Sequence, residues 1–440
     1  MAKIFLFASI PPQLIKGKKI EAAHYRSWQF FEPLLQDGHT ILYCTALPPE
    51  ELPQIPAEWN RMTFLPLNPR RIGWIRQMQQ AYDKFQPDCT VAVNFDSSLY
   101  ASRLKTEKPI WMDIYGDYLT IIQAARFRVQ TDRGIGTAVN FMRDILLRGD
   151  KFSVCSPAQR HMLIGELAMT GRLNKKTFAY EFADIILPGS VPTAPFPENA
   201  ADRQVLTSLG IAYDDFVVLW CGGYNAWTDV ETLFSGLETA MKQNKKVHFV
   251  SVGEYIYKRT ENTYTHFKEM VENSAFRDRY HLLGWKPWEE IPPLYRESDV
   301  GINIDSPIYE TLFGTRTRIV EMIAYGLPVV TSLGTDLSYF LCTQEGGMGF
   351  EIGSSVSLSE QLLKLANNKE LCLRLSRKAT QVAREELSFY KTTLPLREWV
   401  QNPVCAPDRL VSSSEKRQQV EYRMRSWFRN LIWKISGLDR

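Results

Sequence analysis

Nowhere in this 440-residue sequence do about 18 apolar residues run together, so no segment reads as a membrane-spanning helix. Seven cysteines (Cys44, Cys89, Cys155, Cys221, Cys342, Cys372, Cys405) are scattered singly, without a C-x-x-C pair or a histidine at metal-ligand spacing. That excludes a zinc finger and a disulfide framework and suits a reduced, cytoplasmic chain. Also missing are a D-x-D metal motif, a P-loop, a G-x-S-x-G elbow and an H-E-x-x-H pair, so neither a bound metal nor a cofactor is expected. With 52 Lys+Arg against 49 Asp+Glu the net charge is only +3, too small to steer the whole surface towards nucleic acid. The start, MAKIFLFASIPP, imitates a secretory signal but lacks a small-residue cleavage site, and it reads as a buried first strand.

What is present is an alternation of strand-length apolar runs with segments of helical period. KIFLFASI (3–10), TILYCTAL (40–47), VAVNF (91–95), PIWMDIY (109–115), KFSVCS (151–156) and FADIILPG (182–189) form one series. FVVLWCGG (216–223), VHFVSVGE (247–254), YHLLGW (280–285), VGINID (300–305), LPVVTS (327–332) and GFEIG (349–353) form a second. The Pro- and Ala-rich stretch 190–202 between them reads as a linker. The predicted architecture is α/β: two Rossmann-like, doubly wound domains, 1–189 and 203–385, with a return segment 386–408. A ligand cleft is expected between them at the carboxyl ends of the strands.

Two segments carry candidate chemistry. The first strand of the second domain ends in Gly222-Gly223-Tyr224-Asn225, and Thr228 with Glu231 makes a capping box before a helix. Glycines before a helix start admit a phosphate to backbone N–H groups, although Gly-Gly after a strand also serves as a tight turn. In PIYETLFGTRTRIVEMIAYGLPVVTS (307–332) a helix begins near Thr315–Arg316 and ends at Gly326. Arginine in a first helical turn opposes the macrodipole unless an anion is bound there, which makes Arg316 and Arg318 phosphate candidates. Arg318 could instead pair with Glu321 at i,i+3.

The order of strand, Gly-Gly loop and capped helix, then HLLGWKPWEEIPPLYRESDVGINI (281–304), then FGTRTRIVEMIAYGLPVVTS (313–332), resembles the carboxyl-terminal domain of GT-B-fold glycosyltransferases. The resemblance implies that Gly284-Trp285 lies by the nucleotide base and that Glu321 binds the donor ribose. It further implies that Gly314, Thr315, Arg316 and Arg318 face the donor diphosphate and sugar, with Gly222, Gly223, Tyr224 and Asn225 completing the donor side. RSWQFFEPLLQDGHTI (26–41) and PIWMDIYGDY (109–118) are similar to the family's amino-terminal domain. One departure stands out. Retaining members commonly carry two glutamates separated by seven residues, and Phe313 occupies the first of those positions here. Glu310 is then the nearest carboxylate upstream, and retaining or inverting stereochemistry stays open.

On the other side of the cleft, Asp113 and Asp117 could take a proton from an acceptor hydroxyl, while Asp117 could equally cap the helix that begins at Tyr118. Lys16, Lys18 and Lys19, with His24, lie where an anionic acceptor could dock or where a solvated loop would run. The implied activity is glycosyl transfer from a nucleoside-diphosphate sugar, of UDP or GDP, to a glycan or lipid-type acceptor. Leaving-group charge would rest on Arg316 and the helix start, with Asp113, Asp117 and Glu310 as the other catalytic candidates. The alternatives are a nucleotide-sugar epimerase or hydrolase on the same fold, or a non-catalytic nucleotide-sugar binder. The tail 409–440 is a basic amphipathic helix: between Glu415 and Arg440 seven Lys/Arg stand against three Asp/Glu, opposite a stripe that includes Trp427 and Phe428. It could lie on an anionic membrane at the cytoplasmic face, or pack on the body.

Overall fold

The computed structural model describes residues 1–190, 203–255 and 261–409, apart from 16, 18 and 53. The tail 412–440, the linker beyond Ser190, and Lys16 and Lys18 lie outside the described residues. Thirteen strands are described: β1 (Lys3–Phe7), β2 (Thr40–Thr45), β3 (Met62–Pro66), β4 (Cys89–Ala92), β5 (Ile110–Ile114), β6 (Lys151–Val154), β7 (Ala183–Ile185), β8 (Phe216–Cys221), β9 (Val247–Val252), β10 (Tyr280–Leu282), β11 (Val300–Asn303), β12 (Val329–Ser332) and β13 (Gly347–Phe350). They form two sheets, in the orders β3-β2-β1-β4-β5-β6-β7 and β10-β9-β8-β11-β12-β13. Every pairing is parallel. The two Rossmann-like domains read from the alternation are therefore present.

Both sheets are covered on both faces, as parallel sheets require. In β1 Ile4 and Leu6 join one apolar cluster while Phe5 and Phe7 join another, because successive side chains point to opposite faces. β8 divides likewise: Val218 and Trp220 go to one side, Val217, Leu219 and Cys221 to the other. β3 had no place in the sequence series. It is an edge strand paired only with β2, largely half-buried, and it ends in a proline, so its apolar signal is short.

Strand order reverses between β1 and β4 in the first sheet and between β8 and β11 in the second, and loops diverge at those points to leave a crevice. After the helix Lys369–Glu385 the chain returns to the first domain through the short helices Phe389–Thr392 and Leu394–Gln401. There Phe389 meets Trp28 edge-on at 5.4 Å, Trp399 meets Trp111 at 5.5 Å, and Arg397 pairs with Asp37 at 2.7 Å. No helix among the described residues is long and apolar enough to cross a membrane.

Candidate functional site

The crevice holds a cavity of about 400 Å³ whose wall is shared by both domains. From the first domain come Glu21, Tyr25, Tyr115 and Gly116. From the second come Gly222, Gly223, Asn225, Trp285, Glu310, Gly314, Thr315, Arg316, Arg318 and Glu321. Most of the donor-side residues expected from the sequence thus converge on one space. Tyr224 does not. It is fully buried, stacked on Trp220 at 4.9 Å, and its hydroxyl bonds Ser251 Oγ at 2.7 Å, so it belongs to the core.

The two arginines, both phosphate candidates from the sequence, stand in different surroundings. Arg316 is buried, and its guanidinium donates to Asp305 at 2.6 Å, to both Glu310 oxygens at 3.1 and 2.8 Å, and to the Thr315 carbonyl and Thr311 Oγ1. Burial opposes its charge, yet the Asp305 and Glu310 carboxylates outweigh that and hold it firmly protonated. With every N–H spent on protein, Arg316 is no phosphate ligand, and it fixes the loop and Glu310 instead. Arg318 is the opposite case. Its Nη2 donates to the Gly223 carbonyl at 3.1 Å and its guanidinium lies 3.8 Å from the Trp220 ring centre. Its buried Nη1 has no hydrogen-bond partner among the described residues. Burial, with the like charge of Arg316 adding to it against the pull of Asp305, lowers its pKa to about 10. Thr315 Oγ1, on the same wall, is also buried without a partner. A half-buried cation with one unpartnered nitrogen and an unpartnered hydroxyl, at a helix start, suit an anion.

Backbone conformation and the neighbouring strand end both call for glycine at this loop. Gly222 has φ 125°, and a Cβ on Gly253, at the end of β9, would come within 2.3 Å of the Gly222 carbonyl oxygen. The amides of Gly222, Tyr224 and Asn225 are already used by Val252, Glu254 and Thr228. Thr228 is accordingly not the helix cap. Asp229 caps the helix Val230–Gln243 by accepting from the Thr232 amide at 3.0 Å, because Thr228 turns back to hold the loop.

Glu321, one turn beyond Arg318 on the helix Thr317–Ala324, accepts a hydrogen bond from Tyr295 at 3.0 Å. Burial pushes its carboxyl up to about 7, against that bond and the Arg318 charge. Nothing in the sequence marked Tyr295. Gly284 takes φ 69° and delivers Trp285 to the cavity wall, where Lys19 lies 4.8 Å from its ring centre.

The first-domain carboxylates do not present themselves as acceptor-side bases. Asp113 is fully buried, gripped by Arg26 at 2.7 and 3.0 Å and by Ser153 Oγ at 2.6 Å. Asp117 caps the helix Tyr118–Arg128 by accepting from the Thr120 amide at 2.7 Å, and burial raises its pKa. His24 closes a capping box with Glu21 at the start of the helix Ala22–Gln36, and burial lowers its pKa. No group of three or more metal-ligating side chains occurs among the described residues.

Residues 215–368 match the family model described as Glycosyl transferases group 1. That match spans most of the second domain. No curated protein matches the sequence. Among solved structures, sucrose-phosphate synthase of Thermosynechococcus elongatus aligns with 17% identity over 91% of this chain and 98% of its own, at a TM-score of 0.70. Anabaena HepE in complex with UDP-glucose gives 15% identity, coverage of 91% and 100%, and a TM-score of 0.65. WaaG, a glycosyltransferase involved in lipopolysaccharide biosynthesis, gives 14%, 91% and 100%, and 0.62. At these identities the likeness is one of fold, and that fold is GT-B. The matched segment holds Arg318, Glu321 and most of the second domain's share of the cavity wall.

Proposed function

We propose that the chain transfers a sugar from a nucleoside-diphosphate sugar to an acceptor hydroxyl, with the donor on the second domain and the acceptor entering from the first. The observation that carries this reading is Arg318, half-buried on the cavity wall with Thr315, its Nη1 and the Thr315 Oγ1 both without a hydrogen-bond partner among the described residues. The diphosphate rests against these groups and the first-turn amides of the helix Thr317–Ala324. Glu321 takes the ribose hydroxyls and Trp285 the base. Glu310, held in place by Arg316, accepts from the sugar hydroxyls, a task that the family assigns to the position where Phe313 stands. As the anomeric bond breaks, negative charge grows on the leaving diphosphate and Arg318 meets it without reorganising.

Uridine is the base to try first, since HepE was solved with UDP-glucose and UDP. A ligand at 100 times its Kd adds about 2.7 kcal/mol to stability. UDP is therefore expected to raise the unfolding temperature, and release of UDP from UDP-glucose is expected to need an acceptor. Acceptor-independent release would favour a hydrolase, and binding without release a non-catalytic receptor. Absence of any shift with UDP, GDP and ADP overturns the donor site altogether.

The acceptor we favour is lipid-linked or lipid-like, on a chain that works at the cytoplasmic face of a membrane. The support is the sequence of the tail: each basic residue beside an anionic bilayer contributes about 1 kcal/mol that salt screens. Binding to anionic liposomes is expected to weaken with salt and to vanish when 412–440 are deleted, with the remaining two domains still folded. A truncated chain that precipitates, with a full chain that ignores liposomes, makes the tail part of the core.

A further inference from the structure

The two domains also meet through a pair of hydroxyls on the cavity wall. Tyr115, directly after β5, bonds Thr317 Oγ1 at 2.7 Å, and Thr317 is the first residue of the helix that carries Arg318 and Glu321. Both partners line the cavity.

Tyr115 is itself held by a buried assembly. The Arg26 guanidinium lies 4.6 Å from the Tyr115 ring centre and 4.7 Å from that of Phe30. Arg26 is fixed in turn by both oxygens of Asp113, by Gln29 Oε1 at 2.9 Å and by the Leu187 carbonyl at 3.2 Å. Asp113 also accepts from Ser153 Oγ and from the Asn94 amide at 3.3 Å. Burying an ion pair this completely gives little net stability, because desolvation offsets the attraction. What it yields here is a fixed cation against one face of the Tyr115 ring.

We infer that Tyr115 is a positioning residue: it pins the start of the donor helix to the acceptor domain, so that the groups on the donor and the incoming hydroxyl are held in register. This inference rests on the donor site described above. Tyr115 is not a proton carrier, since burial drives its hydroxyl well above the ordinary range for tyrosine and it stays a neutral hydrogen-bonding group. Other contacts between the domains lie around the pin. Arg128 Nε donates to the Ala226 carbonyl at 3.1 Å, and the Ala158 amide to Asp336 at 2.9 Å. Neither pair lines the cavity. Asp113 thus acquires a task through Arg26 and Tyr115 rather than through an acceptor proton.

The test is a double-mutant cycle on the full chain with Tyr115→Phe, Thr317→Val and both together. Each single change is expected to lower kcat about three- to tenfold, the worth of one hydrogen bond, while the KM for UDP-glucose shifts less than about twofold. The double variant is expected to be no slower than either single one, because the two changes delete the same bond. Thr317→Ser, which keeps the hydroxyl, is expected to preserve the sensitivity to Tyr115→Phe. A second readout needs no turnover: amide hydrogen exchange in the first turn of Thr317–Ala324 is expected to quicken in Tyr115→Phe and in Thr317→Val alike. Additive losses, or a raised KM with intact kcat and unchanged exchange, overturn the pin. Should UDP-glucose prove not to be turned over, quickened exchange would sustain the pin while the transferase reading fell, and unchanged exchange would dismiss the pin by itself.

Discussion

Arg318→Met is expected to cut turnover about 100- to 1000-fold while leaving the protein at least as stable as its parent. The loss follows from the place of the guanidinium. A preorganised donor aimed at charge that grows in the transition state is worth about 2.7–4 kcal/mol when removed from a water-poor site. Donor binding should suffer less than kcat, because the diphosphate carries less charge on the bridging side before the bond breaks. The stability follows from the same geometry read from the protein's side. Arg318 keeps a buried Nη1 without a partner and has its pKa lowered by burial, so as a member of the unliganded fold it is a cost. Methionine covers the Trp220 face without that cost. Arg316→Met is the contrasting case. It strands the Asp305 and Glu310 carboxylates, both buried, and is expected to destabilise by about 3–5 kcal/mol. Thermal unfolding and initial rates on the two purified variants check both halves. A stable Arg316 variant with lost turnover, beside an active Arg318 variant, would return the phosphate to Arg316.

The contrast between the two arginines shows where the sequence stops speaking. Both arginines sit in one Thr-Arg-Thr-Arg stretch, and the expectation of an anion at a first helical turn applied equally to each. What separates them is Asp305, just past β11, and Glu310 in the short helix Tyr309–Phe313, whose carboxylates fold back onto Arg316. No local spacing announces a three-residue cluster drawn from a strand end, a short helix and a cap. The Thr228 capping box failed for a related reason: the motif was there, but the hydroxyl found a nearer amide at Asn225. Asp113 read as a candidate acceptor-side carboxylate because it ends an apolar strand on the cleft side. Its partner Arg26 lies 87 positions earlier, on the first helix, at a distance in sequence that periodicity does not report.

The architecture was far more legible, and for physical reasons. Parallel strands buried on both faces need continuous apolar runs, and these stand out between polar helices. Twelve of the thirteen strands had such a run, and the exception, β3, is a half-buried edge. The position of the cleft followed from topology, since loops at the reversals β1/β4 and β8/β11 must splay apart. Tyr115, which joins the two sides, and Tyr295, which bonds Glu321, escaped notice because a tyrosine among apolar neighbours reads as core until its hydroxyl partner is seen. Tyr115 at least lay inside the Asp-Ile-Tyr-Gly-Asp segment, where attention went to the carboxylates on either side.

Glu321→Gln is expected to weaken binding of UDP-glucose about five- to tenfold, because a charge-assisted hydrogen bond to a ribose hydroxyl, worth about 1.5–3 kcal/mol, becomes a neutral one worth about 0.5–1.5 kcal/mol. Acidity gives this assignment a second signature. Burial holds the Glu321 carboxyl near 7 against an ordinary 4.5, so at acid pH the native protein keeps a proton that the ionised, better acceptor has lost. The diphosphate of a nucleotide sugar has no proton to exchange in this range, so affinity in the parent should rise with pH through about 7. In the Gln variant it should stay flat. Stability runs the other way. Between 4.5 and about 7 the native state binds more protons than the unfolded chain at this position, so the contribution of Glu321 to stability falls as pH rises. Glutamine removes that slope, and the variant should gain on its parent most clearly above pH 7. Titration calorimetry with UDP-glucose at pH 6 and 8, alongside unfolding temperatures at both, reads the two effects separately. Equal affinity of parent and variant at pH 8 would take the ribose away from Glu321, whatever the unfolding temperatures did.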